Sequence, residues 1–137
     1  MDQLVSDFNT YLKDLINQVA DICPNSVIGR NITDVNKYIS KPEHRDKFIV
    51  WFILKILQYK DEIDQGNEDF FLKKIKNKDY KDELEGNESM TDQIFEFGSI
   101  WNTLKRENKD VIIQYMQILC ELAQAYFIEY DKKNTKN

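Results

Sequence analysis

Ten consecutive residues, Phe48 to Leu57, read Phe-Ile-Val-Trp-Phe-Ile-Leu-Lys-Ile-Leu, and only Lys55 interrupts them. At helical spacing these apolar side chains point in every direction, and a helix apolar all round belongs inside a core. The run falls well short of the roughly 20 residues that a bilayer span needs. The expectation is the central helix of an all-α domain, with the Trp51 ring interior.

Local signals set its limits. Ser40-Lys41-Pro42-Glu43 reads as a helix start: Ser40 as N-cap, Pro42 in the first turn, Glu43 reaching back to the cap amide. The helix is expected to run to about Gln65 and to close on Gly66, which tolerates the left-handed conformation of a C-terminal cap.

The neighbours needed to wrap this helix are present. Leu4, Phe8, Leu12, Leu15, Val19 and Ile22 recur at three- and four-residue steps, widened by Tyr11 and Ile16, which predicts an amphipathic helix from Asp2 to Cys23 ended by Pro24. Pro24 to Asn31 reads as a loop, and Thr33 as the cap of a short helix carrying Val35, Tyr38 and Ile39. Asn67-Glu68-Asp69 opens another short helix, whose Phe70 and Phe71 should tuck under the central one. Asn77 to Thr91 is polar and reads as an exposed loop. The apolar pattern returns at Ile94, Phe95, Phe97, Ile100, Trp101 and Leu104, weakened at Gly98. Asn108 then caps a long helix over Lys109 to Tyr130.

The expected architecture is an all-α compact bundle of three long helices plus two or three short ones, in a single domain over residues 1–130, with a disordered polar tail over 131–137. With only four glycines and two prolines, the chain lacks the turn residues of an all-β fold.

The formal net charge is −5, and Lys60 to Asp92 carries all of it, with eleven acids against six lysines. Such a balance does not mark a nucleic-acid or anionic-lipid binder. Cys23 and Cys120 have no neighbouring cysteine and read as reduced thiols, a bridge between them being the alternative. The amphipathic start Met-Asp-Gln is no signal peptide, and Asp2 stands where myristoylation needs glycine. A cytoplasmic protein without membrane contact is expected.

The chain offers little chemistry. His44 is the single histidine, so His-rich metal cages and HExxH are excluded, and a Cys–His pair would need it to meet a thiol in space. Asp61 to Leu72 imitates a calcium loop, but Ile63 and Leu72 fall where acidic ligands belong. No phosphate-cradling glycine loop or nucleophile elbow is present. No catalytic, cofactor-binding or metal residue is expected. Two interaction surfaces remain. Tyr126 and Tyr130, at the aromatic end of the last helix, could anchor a protein partner or a second copy, while Phe127 reads as core. Alternatively Lys73, Lys74, Lys76 and Lys78, interleaved with Phe70, Phe71 and Tyr80, could face nucleic acid, although Asp69, Asp79, Asp82 and Glu83 offset their field.

One further pattern combines Ile94-Phe95-Glu96-Phe97, Ile100-Trp101-Asn102-Thr103-Leu104, Glu107-Asn108-Lys109 and Ile113-Gln114-Tyr115-Met116-Gln117-Ile118-Leu119, with Asp69-Phe70-Phe71-Leu72 and Lys78-Asp79-Tyr80 before it. It resembles small helical proteins of giant nucleocytoplasmic DNA viruses, over about half the chain. The resemblance implies a viral protein made in host cytoplasm and brings no enzymatic role. Together these readings point to a non-enzymatic protein–protein interaction or structural protein, self-associating or with a protein partner. A nucleic-acid accessory role on the lysine face is the alternative.

Overall fold

A computed structural model describes residues 2–74, 94 and 97–135. Every regular element among them is helical. The elements are α1 (Asp2–Ile22), α2 (Val27–Arg30), α3 (Ile32–Ser40), α4 (Lys47–Lys55), α5 (Lys60–Asp64), α6 (Gly98–Trp101) and α7 (Arg106–Thr135). A 3-10 turn, Pro42–His44, precedes α4, another, Leu57–Tyr59, joins α4 to α5, and a π turn follows at Phe70–Lys74. The all-α bundle expected from the sequence is what forms.

α1 and α7 make the most extensive helix pair. α1 buries Val5, Phe8, Leu12, Leu15, Ile16, Val19 and Ala20; the middle of the predicted stripe is therefore core, whereas Leu4 and Ile22 at its ends are partly buried and Tyr11 is exposed. α7 buries Ile112, Ile113, Met116, Leu119, Cys120 and Ala123. Tyr11 at the middle of α1 meets Tyr115 edge-on at 6.5 Å, and Cys23, just past the C-terminus of α1, lies beside Thr103, just before α7. The two helices are therefore antiparallel.

The central helix departs from expectation in continuity and in burial. α4 stops at Lys55, and the chain tightens through Leu57–Tyr59 before α5 resumes the α-helix. The third long helix is thus three pieces. The tightened turn re-aims α5: Ile63 is buried, and Lys60 reaches Asp64 at 2.6 Å and Glu121 of α7 at 2.8 Å. Burial is one-sided. Phe48, Ile49, Phe52 and Ile56 are buried, which at 100° per residue forms one face. Phe52 meets Phe8 of α1 in a T-shaped contact at 5.4 Å. Val50 and Leu54, on the opposite face, are exposed, and Trp51 is half-buried against the core.

The start signal at Ser40 also resolves differently. Ser40 ends α3 and takes a 3.0 Å hydrogen bond from Lys13 Nζ. Lys41 is extended, φ −65° and ψ 130°, because the residue before a proline is pushed out of the α region. A helix capped by Ser40 would need Lys41 helical, so Pro42 opens a separate 3-10 turn and α4 begins only at Lys47. The expected loop over Pro24–Asn31 contains α2, capped by Ser26, whose hydroxyl accepts from the Gly29 amide at 3.0 Å. α7 starts at Arg106, before the expected Asn108 cap; the Asn108 amide donates to the Lys105 carbonyl at 3.0 Å. At its far end α7 continues past Tyr130 to Thr135.

Gly66 behaves as read. Its φ is +68°. Its amide donates to Ile63 at 3.0 Å and the Asn67 amide donates to Glu62 at 3.0 Å. These two bonds are the paired closure of a Schellman cap. Gln117 of α7 adds its side-chain amide to the Ile63 and Asp64 carbonyls, each at 3.2 Å, so α5 ends with its last carbonyls paired.

Phe70 and Phe71 are fully buried, as expected. Phe70 meets Tyr59, in the turn that continues the central segment, at 5.5 Å, and Phe71 stacks on Trp101 at 4.6 Å with the rings 3° from parallel. The expected loop over 77–91 lies outside the described residues.

Candidate functional site

The outward face of α4 and the end of α7 enclose an apolar groove. Val50, Ile53 and Leu54 form one wall, and Tyr126, Phe127 and Tyr130 the other, around a volume of about 260 Å³. Both walls follow from helix geometry. Val50 and Leu54 are four residues apart and share a face, as do Tyr126 and Tyr130, and Phe127 lies one helical step beyond Ala123 on the buried stripe.

Exposure is concentrated here. Leu54 is 69% exposed, Tyr130 52%, Phe127 49% and Val50 40%. Large apolar side chains this open, and contiguous, are the informative exception on a protein surface. Tyr126 and Tyr130 lie one above the other, ring centroids 6.4 Å apart and 16° from parallel. Burial, the nearby Asp46 carboxylate and Tyr130 together raise the Tyr126 phenol's pKa, so the ring enters contacts neutral. A second cleft, lined by Pro42, Glu43, Arg45, Asp46, Lys47 and Trp51, continues the groove by sharing Val50 and Leu54. Its rim carries both signs of charge.

Tyr126 and Tyr130, singled out from the sequence, thus stand together on one wall. Phe127 is not core: it is half exposed beside them, because the core stripe of α7 outruns the body that covers it. Val50 and Leu54 escaped the sequence reading, since an apolar run does not announce which of its members lacks a neighbour. Their two-residue offset from the buried set Phe48, Phe52 and Ile56 was the available signal.

The other candidates are dispersed. His44 Nδ1 sits 2.7 Å from the Tyr38 carbonyl, with its ring against Tyr38 and Phe48. Both cysteines are free thiols. Burial raises the Cys23 pKa, offset by a hydrogen bond with Thr103. Cys120 is pushed up to about 12, chiefly by burial. Among the described residues no cluster of His, Cys, Asp and Glu could hold a metal ion. The side chains of Lys73 and Lys74, and all of Lys76 and Lys78, lie outside the described residues.

A polar cluster that the sequence did not flag ties Glu68, just before the π turn, to α6 and α7. Glu68 Oε1 accepts the Trp101 indole N–H at 2.9 Å and lies 3.2 Å from Lys109 Nζ, while Oε2 accepts from Arg106 at 2.9 Å. Arg106 also holds Asp110 at 2.8 Å. These donors pull the Glu68 carboxyl down to about 2. Every strong donor is matched within the cluster, so it reads as a structural tie.

Among the described residues one helix, over Arg106–Lys133, is long and apolar enough to cross a membrane by length and composition, and 33% of its most apolar window is buried. The core helix of a globular domain passes the same test. No family model, curated protein or solved structure matches this chain.

Proposed function

We propose that this chain is a non-enzymatic protein–protein interaction protein, and that it works by burying the α4–α7 groove against another protein surface. One observation carries the reading: Leu54, Phe127 and Tyr130, three of the most exposed large apolar side chains, all line a single groove. Aromatic anchors on a rigid helix lose little side-chain entropy on docking, which is why Tyr and Phe recur at the centres of interfaces. The likeness to giant-virus proteins supplies the setting, host cytoplasm, in which a partner would be met.

A photo-crosslinking residue placed at Leu54 tests the reading. Irradiation in cells expressing the chain is expected to give discrete protein adducts. The same probe at Gln18, on the exposed face of α1, should give none, and Phe127→Glu should abolish those at Leu54. Adducts equal at both positions, or only to lipid or nucleic acid, would overturn it.

A further inference from the structure

We infer that the groove is the seat of a second copy of this chain, in a two-fold dimer where each copy's Phe127–Tyr130 ridge lies against the other's Val50–Leu54 wall. The inference rests on the reading of the groove as a protein-contact surface and narrows it to one occupant. Three observations carry it.

The first is length. Tyr11 pairs with Tyr115 across the antiparallel α1–α7 contact, and at equal rise this sets Asp2, the first residue of α1, level with about Gln124. α7 continues to Thr135, so roughly 16 Å of it runs past the end of α1, at 1.5 Å per residue. The stripe that builds the core continues onto this overhang: Ile112, Met116, Leu119 and Ala123 are buried, whereas Phe127 and Tyr130 are open. A stripe of core character that the described residues leave half open is half of an unfinished interface.

The second is self-complementarity. An isologous contact needs the same patch to present both halves of the fit. Here one patch carries a ridge, Phe127 and Tyr130, beside a wall, Val50 and Leu54. Its rim alternates sign: Glu43, Arg45, Asp46 and Lys47 line the adjoining cleft. A rim of one sign would repel its own copy and attract a polyanion or a basic partner, whereas a mixed rim can pair with itself across a two-fold.

The third is extent. Val50, Leu54, Phe127 and Tyr130, with half-buried Trp51, Ile53 and Tyr126, join the groove and the adjoining cleft into one contiguous apolar patch, of a kind that marks contact surfaces on soluble proteins. A specific two-fold contact has to bury on the order of 1,000 Å² in total, so the dimer must cover this whole patch and its charged rim on both copies.

Sedimentation of the full chain from micromolar to millimolar concentration tests this. The mass is expected to double with concentration. Leu54→Glu and, separately, Phe127→Glu should hold it at one chain with an unchanged helical spectrum, since both side chains are exposed. Hydrogen exchange on the unaltered chain needs no variant: amides over 127–135 should slow as the dimer fills. A monomer throughout, a dimer surviving both substitutions, or protection confined elsewhere would overturn the inference. A monomer that floats with neutral lipid vesicles would overturn it in favour of a bilayer surface. A monomer that still gives protein adducts at Leu54 would sink self-association and leave the interaction reading standing; no adducts and no dimer would sink both.

Discussion

Glu68 accepts the indole N–H of Trp101 at 2.9 Å across 33 residues of sequence. Trp101 is fully buried, so its N–H has no water to turn to, and a buried donor left unpaired costs about 1–3 kcal/mol. Glu68→Ala should therefore destabilise the fold by about that amount. Glu68→Gln keeps an acceptor for the indole and should lose less. The pH response separates the two roles. The folded carboxyl is drawn down to about 2 from the usual 4.5, so its stabilisation is complete above 4.5 and lost as pH falls toward 2. Urea midpoints should fall over that window in the unaltered chain and fall less in Glu68→Gln. The carboxylate side chain is 38% exposed, so solvent screening keeps the slope below that of a buried pair. Parallel pH curves for the two proteins would refute the assignment.

Two glycines give a second, sharper contrast. A Cβ on Gly29 would stand 2.4 Å from the Cys23 carbonyl oxygen and 2.5 Å from that of Pro24. Both are backbone atoms, so no side chain can swing aside, and α2 would have to lift from the end of α1. Gly66 has open space around it, but its φ is +68°. There alanine meets only the left-handed penalty, about 1–2 kcal/mol. Gly29→Ala should cost more than Gly66→Ala in chemical denaturation, even though alanine is the better helix former. Equal losses would mean that the 23–24 backbone can yield.

What the sequence made legible was local. The middle of the α1 stripe and the Gly66 closure each follow from residues within a turn or two, and both appear as read. Ser40 shows where even a local rule fails: the cap signature was sound, but the pre-proline restraint on Lys41 outranked it. The groove was half legible. Tyr126 and Tyr130 stood out as aromatics beyond what the core needs, whereas Val50 and Leu54 were hidden in a run that reads as uniformly buried. Whether an apolar side chain is covered depends on where another helix ends, and that is set by the α1–α7 register. The Glu68 tie was invisible for the same reason, although a buried Trp always asks for an acceptor.

The thiols should differ in reactivity. Cys120 is fully buried and pushed up to about 12, so at mildly alkaline pH it is neither accessible nor ionised. A thiol reagent should modify Cys23 in the native state, and Cys120 only at the rate of unfolding. Linkage gives a further sign. The unfolded thiol ionises near 9 and the folded one near 12, so the unfolded state binds fewer protons between them and stability falls as pH rises through that interval. Cys120→Ala should remove that part of the alkaline loss, whatever it costs at neutral pH. Two equally fast thiols would show that α7 opens locally.

The sharpest stability test lies within the apolar decapeptide. If α4 were buried all round, alanine at Trp51, Phe52 and Leu54 would each cost several kcal/mol. The observed face orders them instead. Phe52 is fully buried with its ring on Phe8, so Phe52→Ala should cost about 3–5 kcal/mol. Trp51, half-buried, should cost less despite its larger ring. Leu54, the most open of the three, should be within about 0.5 kcal/mol of neutral at concentrations where the chain is monomeric. Raising the concentration turns this series into a probe of the groove. Phe52→Ala acts inside each subunit and should lose the same amount at every concentration. Leu54→Ala should become destabilising only as a dimer fills, because the side chain then gains cover that it lacks alone. Urea midpoints at two protein concentrations for these three variants read both effects. A Leu54 variant as costly as Phe52 in the dilute chain would place that leucine inside the subunit and close the groove.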